Sequence, residues 1–389
     1  MSDDAGPRRI EEQTLSRYRQ KTYYPVRIGD VYNDRYRVIA KIGFGAYSTV
    51  WLARDQRSKA YSCLKVCVHD DTEASPILNE VRMLRHLEEM AKEDTDDHPG
   101  LDFTRLADEI FQIEGPAEQH YCMASKPQGV SIRALQDTYP NAILPKLLVK
   151  SLIFRLLAAV NFLHAQAGVI HTDISPANVL TKAEDDTDFQ LIEAAESQHP
   201  DTPVLDGEYP VYRSREAPTV VVGYPYLTDF GTARLADPIN TGWCMPDLYR
   251  APEILLGLPW SFPVDVWSIG VITLQLLEGR NVFYATDPRD RKYVLPLALA
   301  QYISYMGLPP PEMIQKSPSC QRYFDENGEW SEADCPIPLT CLEEFVTIIP
   351  PGEEKDLFLK FIRKMLTWDP EPRSTSNELL VDEWLTLRT

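Results

Sequence analysis

The chain has 389 residues, with 58 acidic and 39 basic side chains and a formal net charge of −19. That balance argues against direct nucleic-acid binding and suits basic partners, while also serving solubility. The length exceeds the roughly 250–300 residues at which single cores stop growing, so two lobes are expected.

The composition, 44% hydrophobic and 25% charged, is that of an ordinary globular protein. The seven cysteines are scattered, odd in number and without a C-x-x-C pair, which reads as reduced thiols rather than a disulfide frame or zinc site. No apolar h-region opens the sequence, so no signal or transit peptide is expected. The most apolar run, 147–163, is interrupted by Lys150 and Arg155 and reads as a buried helix, too short and too charged for a membrane span.

In chain order, residues 1–24 are polar and aperiodic and read as a mobile tail. Residues 36–42 alternate as a strand, and 49–53 resume as a second one. Between them lies Gly43-Phe44-Gly45-Ala46-Tyr47-Ser48, a hairpin tip whose glycines let backbone N–H groups approach phosphates, or simply a turn. Residues 61–68 form another strand, in which Lys65 interrupts an apolar run and therefore needs a partner or an anion. The helix expected over 76–87 places Glu80 within its apolar pattern as that partner; a surface ion pair is the plainer alternative. Residues 88–100 read as an acidic loop, strand-like runs follow around 106–113 and 120–123, and 125–129 is a linker rich in breakers.

The segment V-I-H-T-D-I-S-P-A-N-V-L at 169–180 carries Asp173 and, five positions on, Asn178. An Asp that accepts a hydroxyl proton and an Asn that holds a metal ion are what phosphoryl transfer from a nucleotide needs. Asp229-Phe230-Gly231 supplies a second candidate metal carboxylate. The intervening stretch 183–212 contains nine Asp or Glu and no Lys or Arg, and reads as a flexible acidic insertion: a solvated loop, or a negative surface that attracts basic substrate. Helices are expected over 264–277, 356–366 and 377–387, with an irregular, Pro-rich stretch at 280–350.

In this order the motifs resemble those of a eukaryotic protein-kinase domain over residues 23 to 387, and within it the SR-protein kinases of the CMGC group. The marks are I-G-D-V-Y-N-D-R-Y at 28–36, I-G-F-G-A-Y-S-T-V-W at 42–51, I-H-T-D-I at 170–174, and insertions before the D-F-G and after residue 280. The resemblance implies an α+β, two-lobed fold: tail 1–24, a β-rich N-lobe over 25–126, and a larger helical C-lobe over 127–389 that carries both insertions. It implies ATP and Mg²⁺ as cofactors. Lys65 would contact the α/β-phosphates and pair with Glu80, and the backbone of 43–48 would cover the phosphates. Ile42, Val50 and Cys63 would line the nucleotide site, with Ser125 as gatekeeper and Lys126 to Gln128 meeting the adenine. Asp173 would orient the substrate hydroxyl and take its proton, while Asn178 and Asp229 would hold Mg²⁺. Glu253 with Arg373, and Asp265 beneath the catalytic loop, match structural positions. The implied substrates are basic, Arg/Ser-rich proteins tied to mRNA processing, with Glu312 and Asp325 as candidate docking acids. No membrane contact, a monomer, and residence in cytoplasm and nucleus are expected.

Two departures matter. Thr172 stands where most kinases carry Arg, as in the SR-protein kinases, so a cation that clamps a phosphorylated activation loop is absent. Ser175 stands where Ser/Thr kinases carry a Lys that steadies the γ-phosphate. By analogy with lost oxyanion donors, that absence would cost about 10²–10³-fold in rate wherever nothing else steadies the phosphate. Two readings follow: an active Ser/Thr kinase, or a weak or inactive pseudokinase scaffold that still holds nucleotide.

Overall fold

The computed structural model describes residues 9–93, 98–116, 118–216, 223–237, 239–287, 289, 292–318 and 320–387. The chain divides into two compact units. The first comprises Met1–Glu88, Arg105–Val130 and Thr181–Gly223; the second comprises Glu89–Thr104, Ser131–Leu180 and Tyr224–Thr389.

The first unit is built on a six-stranded sheet of β1 (Val31–Tyr32), β2 (Tyr36–Gly45), β3 (Ser48–Asp55), β4 (Tyr61–Cys67), β5 (Glu109–Glu114) and β6 (Gln119–Ser125), in the order β1-β2-β3-β4-β6-β5. Every neighbouring pair is antiparallel. Period-two alternation puts Tyr36, Val38, Trp51, Ala53, Leu64 and Val66 into one apolar cluster. Ile39, Ala40, Leu52 and Tyr61 form a second cluster with Phe189 and Ile192.

Those last two residues correct an expectation. The acidic insertion is folded, with a helix at Thr187–Gln198 and a hairpin of Val204–Asp206 with Tyr209–Val211. Phe189 and Ile192, three apart on a helical face, pay its ordering cost by burial against the sheet. Its acids are partly neutralised by arginines on either side of it in sequence: Arg54 pairs with Glu193, Arg215 with Glu196, and Arg213 with Asp201.

The N-terminal segment is likewise packed rather than mobile from residue 9 onward, with short helical turns at Glu11–Thr14 and Gln20–Thr22; the expectation for residues 1–8 falls outside the described residues. The helix carrying Glu80 runs Pro76–Glu93, so the start of the expected 88–100 loop is helical. Residues 94–97 lie outside the described set.

The second unit is mainly helical. Its central helix, Lys146–Asn161, continues through a π turn at Phe162–Gln166. At 21 residues it is longer than expected, and long and apolar enough by composition to cross a membrane. Val149, Ile153, Leu157 and Val160 are fully buried, which makes it a core helix of this unit. It packs against Pro263–Glu278, a helix buried along nearly its whole length. The 280–350 stretch, expected to be irregular, holds helices at Leu295–Met306, Pro311–Lys316 and Leu342–Phe345. Glu253 and Arg373, both with fully buried side chains, form a two-pronged pair at 2.8 and 3.0 Å. Arg373 also donates to the carbonyls of Pro263 and Thr367, so the buried charge is fully used.

Asp55, at the end of β3, gives a pH-dependent test. Arg35 donates to both of its carboxylate oxygens at 3.0 and 2.9 Å, and Ser58 adds a third bond. The Arg35 guanidinium holds the Asp55 carboxyl well below the usual carboxylate range. A depressed carboxyl stabilises the fold above its unfolded value of about 3.9 and loses that contribution as pH falls through the folded value. Asp55→Asn is therefore expected to cost about 1.5–3 kcal/mol at pH 7 by urea unfolding, with the deficit shrinking once pH falls below about 4.

Candidate active site

The glycine-rich hairpin forms as expected but is tighter. Gly43 pairs with Val50, Phe44 with Thr49 and Gly45 with Ser48, which leaves Ala46 and Tyr47 at the tip. Register shifts between Val38 and Ala40 and between Lys41 and Gly43 twist the strand that enters the turn. Ile42 and Val50 are half-buried beside it.

Lys65 sits on β4, directly across from Val50 on β3 and Met123 on β6. Its ammonium donates to both oxygens of Glu80, at 2.6 and 2.7 Å. Glu80 is buried, so this is not the surface pair of the plainer alternative. Cys63 is buried and pairs across the sheet with Ser125. The Ser125 hydroxyl accepts from Arg105 at 2.6 Å. Past the end of β6, Lys126 is exposed, and the side-chain oxygen of Gln128 is buried with no hydrogen-bond partner among the described residues. That orphaned acceptor fits a donor from a bound base.

The second unit gathers the other candidate residues. Asp265 accepts from the backbone N–H groups of His171 and Thr172 at 2.7 and 2.8 Å, and from His164 Nε2 at 2.9 Å. Thr172 is held at φ 67°, and its hydroxyl donates to the Thr232 carbonyl at 2.9 Å. His171 Nε2 donates to the Thr228 carbonyl at 3.1 Å, and its Nδ1 accepts from the Asp173 N–H at 3.2 Å. These bonds fix the loop that carries Asp173. Asn178 donates through its amide nitrogen to the Asp173 carbonyl at 2.9 Å and carboxylate at 2.8 Å. The amide oxygen is therefore the atom not spent on Asp173. Burial pushes the Asp173 carboxyl above its ordinary value, and the nearby Asp229 charge adds to that. A raised carboxyl is the better-matched acceptor for a hydroxyl proton.

Asp229 also has positive φ, 67°, and accepts from the Gly231 N–H at 3.3 Å. Phe230 is buried, its ring 5.2 Å from that of His171. The backbone N–H and hydroxyl of Thr228 donate to the Asn178 carbonyl, joining the two metal-candidate segments within this unit. An amide oxygen and a carboxylate are hard donors that suit Mg²⁺. Among the described residues no group of three or more His, Cys, Asp or Glu side chains gathers as a metal site. That fits an ion held by one or two protein groups together with substrate phosphates.

Sequence reasoning missed the Thr172–Thr232 bond and the packing of residues 11–23 against the glycine-rich hairpin. Neither has a periodic signal.

The family model for the protein kinase domain matches residues 36–385. A serine/threonine protein kinase of Aspergillus fumigatus is 36% identical over 97% of this chain and 91% of its own length. The serine/threonine-protein kinase SRPK of Physarum polycephalum is 27% identical over 95% of this chain and 90% of its own. The dual specificity protein kinase CLK1 of Mus musculus is 28% identical over 90% of this chain and 66% of its own. With a β-rich unit, a helical unit and the ordered motifs above, the chain belongs to the protein kinases, as a serine/threonine kinase of the CMGC group related to SRPK and CLK1.

Proposed function

We propose that this kinase transfers the γ-phosphate of ATP to serines of Arg/Ser-rich proteins of the kind that act in mRNA processing, working as a monomer in cytoplasm and nucleus. The observation that carries the transfer is the hydrogen-bonded set of Asp173 and Asn178, with Thr228 linking Asn178 to the segment of Asp229. The substrate class rests on the motif resemblance to SR-protein kinases and on the net charge of −19.

In this reading Lys65, oriented by Glu80, holds the α/β-phosphates. The backbone of 43–48 covers the phosphates, and the Gln128 region meets the adenine. Asp173 orients the serine hydroxyl and takes its proton as the oxygen receives the phosphoryl group. Asn178 and Asp229 would hold Mg²⁺, which supplies charge neutralisation at the transferring phosphate. Of the candidate docking acids, Asp325 accepts from the N–H groups of Asn327 and Glu329 at 2.8 and 2.9 Å and so braces its own turn. Glu312 lies in the first turn of Pro311–Lys316 and is the better candidate of the two. The non-catalytic scaffold reading gains no support beyond Ser175 itself.

The deciding experiment is phosphate transfer from Mg-ATP to an Arg-Ser repeat peptide, beside an Asp229→Asn control. Transfer that disappears in the control is expected. Retained nucleotide binding with no transfer to that peptide or to a general basic protein would overturn the reading. Because Thr172 is tied to Thr232 rather than offering a cation to a loop phosphate, phosphatase treatment is expected to leave the initial rate within about twofold. Loss of all transfer would contradict this. Ser175→Lys is expected to change kcat by less than about tenfold, or about 1.4 kcal/mol. A gain of about 10²–10³-fold would instead make the missing cation the rate-limiting defect.

A further inference from the structure

The segment before the sheet grips the tip of the glycine-rich hairpin. The Tyr23 hydroxyl donates to the Gly45 carbonyl at 3.0 Å and lies 3.3 Å from that of Ala46. The Arg17 guanidinium donates to the Tyr47 hydroxyl. The Thr22 carbonyl accepts from the His69 N–H at 2.7 Å, which anchors the segment just beyond β4.

A buried ion pair secures the other side. Lys41, two residues before Gly43, has a fully buried side chain. It pairs with Glu12, lies 3.6 Å from Glu11 and donates to the Tyr212 carbonyl at 3.0 Å. Its ammonium lies 5.3 Å from the centre of the Phe44 ring. The folded insertion closes the arrangement: the Arg215 N–H donates to the Lys41 carbonyl at 2.8 Å, and the Ser214 hydroxyl to Glu11 at 2.7 Å.

We propose that residues 11–23 form a positioning strap for the phosphate-covering turn, in which Tyr23 and the Glu12–Lys41 pair set nucleotide affinity without touching the nucleotide. This rests on the assignment of 43–48 to the phosphates. The strap lies before residue 36, where the kinase-domain match begins.

The physical reason is conformational entropy. A glycine turn ordered only by its ligand loses its freedom at the moment of binding, and that loss is subtracted from affinity. Gly45 has open space where a side chain would stand, so no side chain of its own anchors it. A hydroxyl on its carbonyl supplies the anchor beforehand. Burial, reinforced by the Glu12 charge, pushes the Tyr23 hydroxyl up to about 12, so it remains a donor throughout the neutral range.

Tyr23→Phe removes the hydroxyl and keeps the ring. Binding of a non-hydrolysable ATP analogue with Mg²⁺, followed by calorimetry, is expected to weaken about 2–10-fold, the range of one hydrogen bond. The KM for ATP should rise in step, with the loss falling on KM rather than kcat. Tyr36→Phe is the control, because the Tyr36 hydroxyl belongs to the same unit but lies outside the strap and donates to Glu109 at 2.8 Å. It should bind the analogue as the parent protein does. Unchanged affinity in Tyr23→Phe, or equal weakening in both variants, would overturn the proposal. A parent protein that binds no analogue would overturn the nucleotide assignment itself and the strap with it. Binding without transfer to the peptide would leave the strap standing and count only against the proposed activity.

Discussion

The second unit depends on one buried carboxylate. Asp265 is fully buried in the first turn of the Pro263–Glu278 helix. An unpaired charge there would cost several kcal/mol. Two backbone N–H groups and one imidazole satisfy it, and the helix N-terminus adds a favourable field. The residue is thus both a fully buried charge of the helix and the loop's anchor. His164 reaches it because the central helix ends in a π turn at Phe162–Gln166, an irregularity that often marks functional sites.

The anchor imposes strain that the site uses. Thr172 and Asp229 both hold positive φ, a region that ordinary side chains avoid. Such conformations persist only where surroundings over-determine them. Here the surroundings are Asp265 on one side, the Thr172–Thr232 bond on another, and Phe230 packed on His171 beneath. A hydroxyl bonded to a backbone carbonyl thus helps hold the residue before Asp173 in the resting chain. The loop is held by short-range bonds, one set charge-assisted through Asp265 and the other neutral through Thr232.

Legibility in the sequence followed physical cause. Lys65 and Glu80 were legible because a charge in an apolar strand demands a partner and the next helix offered one in phase. Asp173, Asn178 and Asp229 were legible through motif spacing. The N-terminal strap was not: Glu12 and Lys41 are buried only because they meet, and a polar run of 24 residues otherwise reads as a tail. The insertion helix did carry a signal, Phe189 and Ile192 on one face, but the acid content of 183–212 outweighed it. The arginines that offset those acids lie outside the stretch, Arg54 far upstream and Arg215 just past its end, so a composition count over 183–212 omits them.

The same pairing changes what net charge means here. Three acids of the insertion, Glu193, Glu196 and Asp201, face their own arginines, and Asp206 accepts from Tyr18. Paired charges contribute little field beyond a Debye length, about 8 Å at physiological salt. The field of the insertion therefore comes from its remaining acids, among them the exposed Glu184, Asp185 and Asp186, rather than from all nine. Charge counted along a chain and charge presented by a fold are different quantities, and here three arginines lower the second below the first.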